Sequence, residues 1–416
     1  MFVYGPVFNN IGSWADSIFL FSIFLVFLSS IFPKPYVPRY TSYFFILFPF
    51  FTAVSLIALS YPGISAGDIS KIIIRPFRIV LTVVAGYMLV RLIKREYSDN
   101  FLSVIFEFIF LSVTIHAAIM VIQFFNPDFK DLVYKFTASG DYRSSFDYNF
   151  RMGGLSGGTG GAILSVVQSC GVIITPFLFR TISKRKKIVY SLFCAIIVAS
   201  VLVCGRSGLW SILLFTPISI FLAAPKISSA TMFKFAAVVG VIIIVFVVVI
   251  SSLSKLDRSN PIVLALGRTL DTFLAFNESG EFEDRTTSVL TDHILFPTDI
   301  ITLLVGDTEH IVNAQFGRVL DSDIGYIRNL WSFGVIGAIV FLVPMIRVFV
   351  LSFNKRKKYV SAAYLLVLTV LMLFFHMKEN FMYTRMLFSI YSLTFAVLYF
   401  EEQKDKQLLT LKDGNL

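Results

Sequence analysis

Charge is scarce in this sequence: only 15% of the 416 residues are Asp, Glu, Lys or Arg, whereas 56% are apolar or aromatic. Counted with Gly and without Tyr, the apolar share is roughly 58%, against about 45–50% for soluble domains. Mean hydropathy is +0.79. So little polar surface cannot cover soluble globular domains of this length, and the composition also excludes disorder, collagen and coiled coil. Cysteine is sparse as well. Cys170, Cys194 and Cys204 are odd in number, sit in apolar runs and are not spaced as Cx2C, which leaves neither a disulfide framework nor a zinc site. The four histidines, His116, His293, His310 and His376, lie far apart without an HExxH pattern, so no metal centre is expected. There is no GxxxxGK[ST] loop either, which argues against a nucleotide-driven pump. What remains is an all-α polytopic membrane protein, because a helix satisfies its own backbone groups in lipid.

A span needs about 20 predominantly apolar residues. Eleven stretches read as spans: 17–32, 43–60, 72–93, 101–125, 161–179, 188–204, 207–224, 234–253, 324–350, 360–376 and 382–400. The most apolar runs from Phe233 to Leu253; the weakest, 72–93, carries Arg75, Pro76 and Arg78 in its first turns. A further stretch, 294–305, is apolar but short, and counting it gives twelve. The turn between the sixth and seventh spans predicts a helical hairpin centred on Gly205-Arg206-Ser207. Residues 1–16 hold no Lys or Arg, which speaks against a cleavable signal peptide. The whole chain, 1–416, reads as one integral membrane domain.

The net charge of +10 does not point to nucleic acid, because the basic residues sit in short clusters between apolar segments. On alternate sides of the spans, Lys and Arg number 20 and 15, and nine of the 15 fall in two long loops, 126–159 and 254–323. Long loops translocate largely regardless of charge, so the side with Lys184–Lys187 and Lys355–Lys358 is cytoplasmic. The N-terminus is then outside and the C-terminus inside. The two long loops are external and hold the densest acidic content, including Asp128, Asp131, Asp141 and Asp147 in the first. Neither is long enough for an ordinary independent domain, and short helices capping the bundle are expected there.

Arginine at external membrane depth goes against the positive-inside tendency and invites an explanation. Arg75 and Arg78 sit i, i+3 at the outer end of the third span, Arg143 and Arg151 precede the fifth, and Arg206 caps the hairpin. Arg285 lies in the large loop and Arg328 early in the ninth span. A guanidinium stays charged and grips phosphate bidentately, which Lys cannot do. Such a set suits an anionic substrate at the outer leaflet; pairing with loop carboxylates or lipid head groups is the plainer reading. The Gly-rich run from Gly153 to Gly161 reads either as a close-packing or flexible loop, or as a backbone-amide cradle for an anion. Glu107 and His116 are nine residues apart in the fourth span, about half a turn out of phase, which predicts bundle-internal hydrogen bonding rather than one proton relay through both.

Three stretches resemble the O-antigen polymerase/O-antigen ligase superfamily of bacterial inner membranes. Arg151-Met152-Gly153-Gly154-Leu155-Ser156-Gly157 resembles its Arg–small–Gly lead into a span. Cys204-Gly205-Arg206-Ser207-Gly208-Leu209 looks like its [ST]RSG hairpin. Asp321-Ser322-Asp323-Ile324-Gly325-Tyr326, continuing to Trp331-Ser332-Phe333-Gly334-Val335-Ile336-Gly337, resembles its D-S-x-Y…GxxG segment. Gly306-Asp307 fits the LxG element weakly, and Arg143 followed by Gly154 fits an R-x10-G spacing. Order and spacing agree across roughly residues 150–340. Family members commonly have twelve spans with both ends inside, where this chain shows eleven with the N-terminus out; a span at 294–305 or a trimmed N-terminal region would reconcile them. Arg328 has no counterpart in the pattern.

The resemblance implies a glycosyltransferase C-like fold and a multi-pass inner-membrane enzyme with two longer periplasmic loops, 126–159 and 254–323. It implies action on undecaprenyl-diphosphate-linked oligosaccharide repeat units at the periplasmic face, within lipopolysaccharide or related polysaccharide biosynthesis. A polymerase moves the growing glycan onto a new lipid-linked unit, inverting the anomeric centre, with no nucleotide sugar, metal or other cofactor. Membrane lipid, a chain-length regulator and a flippase are the implied partners, and nucleic acid is not. As lipid diphosphate departs, its charge grows, so clamping that charge lowers the barrier. Arg206 is the first candidate for this, then Arg143 or Arg151, with Arg285, Arg75 and Arg78 supported by position alone. His310 would orient the acceptor hydroxyl or act as base. Asp323, with Asp321, would hold an arginine or the loop geometry, although Asp also favours a helix start. The alternatives left open are a ligase that moves glycan to lipid A–core and a non-enzymatic lipid-linked oligosaccharide flippase or transporter.

Overall fold

A computed structural model of the chain describes residues 3–4, 7–8, 12–13, 24, 42–58, 66–137, 151–156, 161–223, 294–306 and 324–413. Among these residues the architecture is helical, apart from a two-residue antiparallel ladder of β1 (Val7–Phe8) and β2 (Gly12–Ser13). The helices are α1 (Ser42–Phe45), α2 (Leu47–Ala58), α3 (Ala66–Tyr97), α4 (Phe101–Phe125), α5 (Pro127–Phe136) and α6 (Ala162–Leu178). They continue as α7 (Lys184–Leu202), α8 (Arg206–Ala223), α9 (Ile300–Val305), α10 (Gly325–Lys355), α11 (Val360–Phe375) and α12 (Arg385–Asp413). Nine of the eleven expected spans coincide with helices. The other two, 17–32 apart from Phe24 and 234–253, lie outside the described residues.

Among the described residues three helices, α4, α8 and α10, are long and apolar enough to cross a membrane. Their outward faces are apolar. On α4, Phe108, Ile115 and Ile122 form an exposed stripe at seven-residue spacing, while Phe106, Phe110, Val113, Ala117 and Met120 are fully buried. Trp210, Leu214, Ile218 and Phe221 make the same kind of stripe on α8. Soluble monomers rarely expose contiguous apolar patches of this kind. Each such side chain gains about 1.5–3 kcal/mol on leaving water, which lipid supplies as well as protein does.

The chain divides into two compact units, one of residues 1–15 and 106–288, the other of residues 16–105 and 289–416. In the first, α6 is central and buries residues from Leu164 to Leu178 against α7 and α8. Small residues set the α6–α8 distance: Ser169 Oγ donates to Ser211 Oγ at 2.7 Å, and Gly208 N donates to Ser165 Oγ at 3.0 Å. In the second unit, α11 is central between α10 and α12, and α3 lies along α12. Gly86 of α3 faces Ser392 so closely that a Cβ would stand 2.7 Å from its Oγ.

Each unit has a basic end and an opposite end rich in loop contacts. In the first, Lys186 Nζ meets both Glu107 oxygens at 2.9 Å, with the Tyr190 hydroxyl at 3.2 Å, while Gln123, far along α4, meets Gly154. Glu107 and His116 thus have separate partners: His116 bonds inside the unit as expected, whereas Glu107 pairs with the exposed Lys186. In the second, Lys358 pairs with Asp405 at 2.6 Å and Lys355 with Glu402 at one end of the helices. At the other end Asn329 Nδ2 lies 2.8 Å from His376 Nε2, and the Tyr326 hydroxyl donates to the Leu373 carbonyl.

Two features depart from a simple span count. Helix α10 is two helices joined at Gly334, whose φ of 62° and ψ of −174° are not helical. The break arises because the backbone of 304–306 crosses there: a Cβ on Gly334 would lie 2.3 Å from the Leu304 carbonyl, and one on Gly306 would lie 2.5 Å from Phe333 N. The Trp331 indole donates to the Leu295 carbonyl at 2.7 Å, fixing the same segment. The stretch 294–305 is therefore no twelfth span. Its helix, α9, has six residues, about 9 Å of rise against about 30 Å of hydrocarbon.

Candidate anion site at the α6–α8 end

The hairpin between α7 and α8 forms as its sequence predicts. Cys204 N and Gly205 N both donate back to the Val201 carbonyl, closing α7, and α8 begins at once with Arg206. A cation at the first residue of a helix sits at the positive end of the helix dipole, an unfavourable place unless an anion is held there. Arg206 is half-buried, and Ser207 behind it is buried.

The segment 151–156 folds over this hairpin. Met152 N donates to the Val203 carbonyl at 3.2 Å. Gly161 N lies 3.4 Å from Cys204 Sγ, and a Cβ on Gly205 would meet the Gly161 backbone at 3.4 Å. The Arg151 Nη1 lies 4.0 Å from where a Gly161 Cβ would be. The backbones of Arg151 and Arg206 thus flank one glycine-lined contact. Helix α5 supports the segment from the loop side, and is the short capping helix expected there. It starts on an Asn126 cap with Pro127 at its first position, and its Tyr134 hydroxyl reaches the Arg151 carbonyl at 3.5 Å. Burial raises the Tyr134 phenol's pKa against a lowering by the Gly153 hydrogen bond, so the hydroxyl stays a donor. Burial lowers the Lys130 ammonium on the same helix, opposed by neighbouring Asp131.

The amide-cradle reading of the glycine run does not hold for residues 152–156. Gly153 N donates to Tyr134 Oη at 3.1 Å, Gly154 N to Gln123 Oε1 at 2.9 Å and Leu155 N to His116 Nε2 at 3.0 Å. Met152 N and Ser156 N are taken by the carbonyls of Val203 and Gly153. Each amide already has a neutral protein acceptor, so none is directed at an anion. Charge at this end comes from the guanidinium groups instead.

Arg78 belongs to the second unit and is exposed on α3, which starts at Ala66 rather than at 72. It lies twelve residues into that helix, about 18 Å along its axis. Arg75 is three residues earlier on the same helix. Arg143, Arg285, His310 and Asp323 lie outside the described residues. Among the described residues no three His, Cys, Asp or Glu side chains gather as a metal site.

His116, Gln123 and Tyr134 were not legible as site residues. A signal was present for two of them: His116 and Gln123 are seven residues apart, hence on one face of α4, where the polar pair points inward. No family model, curated protein or solved structure matches the chain.

Proposed function

We propose that this chain is an O-antigen polymerase-type glycosyltransferase of the bacterial inner membrane. It joins undecaprenyl-diphosphate-linked oligosaccharide units at the periplasmic face by inverting transfer, with lipid diphosphate as leaving group. In this reading eleven helices span the bilayer, with the N-terminus periplasmic and the C-terminus cytoplasmic. The basic ends of both units, with Lys186 and Lys358, then lie in the cytoplasm, and the Arg151–Arg206 end faces the periplasm.

The observation that carries the reading is Arg206 at the first residue of α8, with Arg151 brought beside the same hairpin. Two permanent cations at a helix N-terminus suit a diphosphate whose charge grows as the glycosidic bond breaks. Arg206 is the first residue to hold that charge, with Arg151 second. Arg143, Arg285, Arg75, Arg78 and Asp323 are carried as further binding residues, and His310 as the group that orients or deprotonates the acceptor hydroxyl.

Deleting the gene and resolving lipopolysaccharide on a gel tests the assignment. A polymerase deletion leaves core plus one repeat unit. Bare core overturns the reading in favour of a ligase, and bare core with cytoplasmic-face intermediates in favour of a flippase.

A further inference from the structure

The three consecutive amides of Gly153, Gly154 and Leu155 are each held by a different side chain, and two of those side chains come from one face of α4. The imidazole among them is itself fixed. His116 Nε2 accepts from Leu155 N, so the ring proton resides on Nδ1, which lies against the Gln168 side-chain amide. The Gln168 atom placed at Nδ1 is its amide Nε2, while its Oε1 has no hydrogen-bond partner among the described residues; turning the amide over about its last torsion puts that oxygen where Nδ1–H requires an acceptor. The Tyr4 ring stacks on the imidazole at 3.8 Å and 5°. Gly154 completes the fit with a φ of +58°, where a Cβ would lie 2.4 Å from His116 Nε2. Seen from the segment, its far side is tied to the hairpin through Met152 N and the Val203 carbonyl. Neither edge of 151–156 can shift without losing a buried hydrogen bond.

We propose that His116, with Gln123 and Tyr134, is a positioning clamp that sets the 151–156 segment, and with it the Arg151 guanidinium, against the hairpin of Arg206. The inference rests on the reading of Arg151 as a diphosphate-binding residue. His116 touches no substrate; it acts through Leu155 and Gly154. Its essential property is an acceptor at the Nε2 position, since a donor or a carbon there leaves the Leu155 N–H buried and unpaired.

Two substitutions isolate that property. His116→Phe keeps the ring and its stack on Tyr4 but removes the acceptor, whereas His116→Gln restores a carbonyl oxygen at similar reach. Full-length protein in lipid nanodiscs is read in two ways: amide hydrogen exchange of residues 151–156, and polymerisation of the host strain's own undecaprenyl-diphosphate-linked repeat unit. His116→Phe is expected to speed exchange of the segment and slow turnover, each tenfold or more, with His116→Gln within threefold of wild type in both. In an Arg151→Ala background, His116→Phe should slow turnover no further, because the clamp acts through that arginine. Losses that multiply in the double variant overturn the clamp, as do 151–156 amides that exchange equally fast with and without the acceptor. A wild-type chain that polymerises nothing overturns the enzyme reading, and the exchange comparison then decides the clamp alone.

Discussion

Gly208 of α8 lies so close to Ser165 of α6 that a Cβ on the glycine would stand 2.3 Å from the Ser165 carbonyl oxygen. Backbone cannot yield as a flexible side chain does. Gly208→Ala is therefore expected to push the helices apart, breaking the 2.7 Å Ser169–Ser211 and 3.0 Å Gly208–Ser165 hydrogen bonds. A loss of about 1–3 kcal/mol follows from overpacking alone. Gly205→Ala, whose nearest contact would be 3.4 Å, is the control and should cost far less. Thermal unfolding of the two variants in detergent separates them; equal stability would show that the seam is not close-packed.

Gly334 carries a left-handed φ of 62° where the backbone of Leu304 and Val305 crosses α10. Gly334→Ala meets both a strained dihedral, worth about 1–3 kcal/mol, and a backbone clash. The expected result is a lower yield of monodisperse protein and release of the 294–306 segment, visible as protease cleavage there. An unchanged cleavage pattern would mean that the crossing does not hold that segment.

Arg206→Lys retains the charge but loses the planar fork with which, on the proposed reading, a guanidinium engages two phosphate oxygens. With charged hydrogen bonds worth about 1.5–3 kcal/mol, polymerisation should fall by about tenfold or more while membrane insertion is kept. Wild-type glycan chain length from inserted protein would remove Arg206 from the site.

Burial raises the Glu401 carboxyl to about 7, opposed by its hydrogen bond from the Ser361 hydroxyl. The unfolded chain ionises this group near its ordinary value of 4.5, so between there and about 7 the folded state binds more protons. Its contribution to stability is fully present below the lower value and is lost as pH rises through the upper one, about 3 kcal/mol in all. Glu401→Gln should flatten that slope and stabilise the protein at pH 8. An unaltered slope between pH 5 and 7 would place the titrating group elsewhere.

Helix positions were largely readable because apolar runs of span length have few other uses: 101–125 matches α4 residue for residue, and 161–179 matches α6 to within a residue at either end. The hairpin at Gly205-Arg206-Ser207 was readable for the same reason. The break at Gly334 was not, since it depends on a crossing by residues 30 positions away, and a Gly in an apolar helix carries no mark of its φ. Helix α3 begins at Ala66, ahead of the apolar stretch 72–93, because helical backbone can continue past the apolar residues that mark a span. The amide ties of Gly153 to Leu155 were hidden by sequence separations of 19 to 39 residues. A glycine run alone could not tell amides offered to a ligand from amides already held by the protein.

Helix α4 presents Phe108, Ile115 and Ile122 outward and keeps His116 and Gln123 inside. A single inserted residue ahead of Phe108 would turn everything before it by about 100° relative to everything after it. An insertion between Phe110 and His116 would rotate the imidazole and the amide toward hydrocarbon together, uncoupling both from the segment they grip. This helix therefore behaves as a keyed shaft: it tolerates exchange of one oily side chain for another, but no change in the number of residues between its ends.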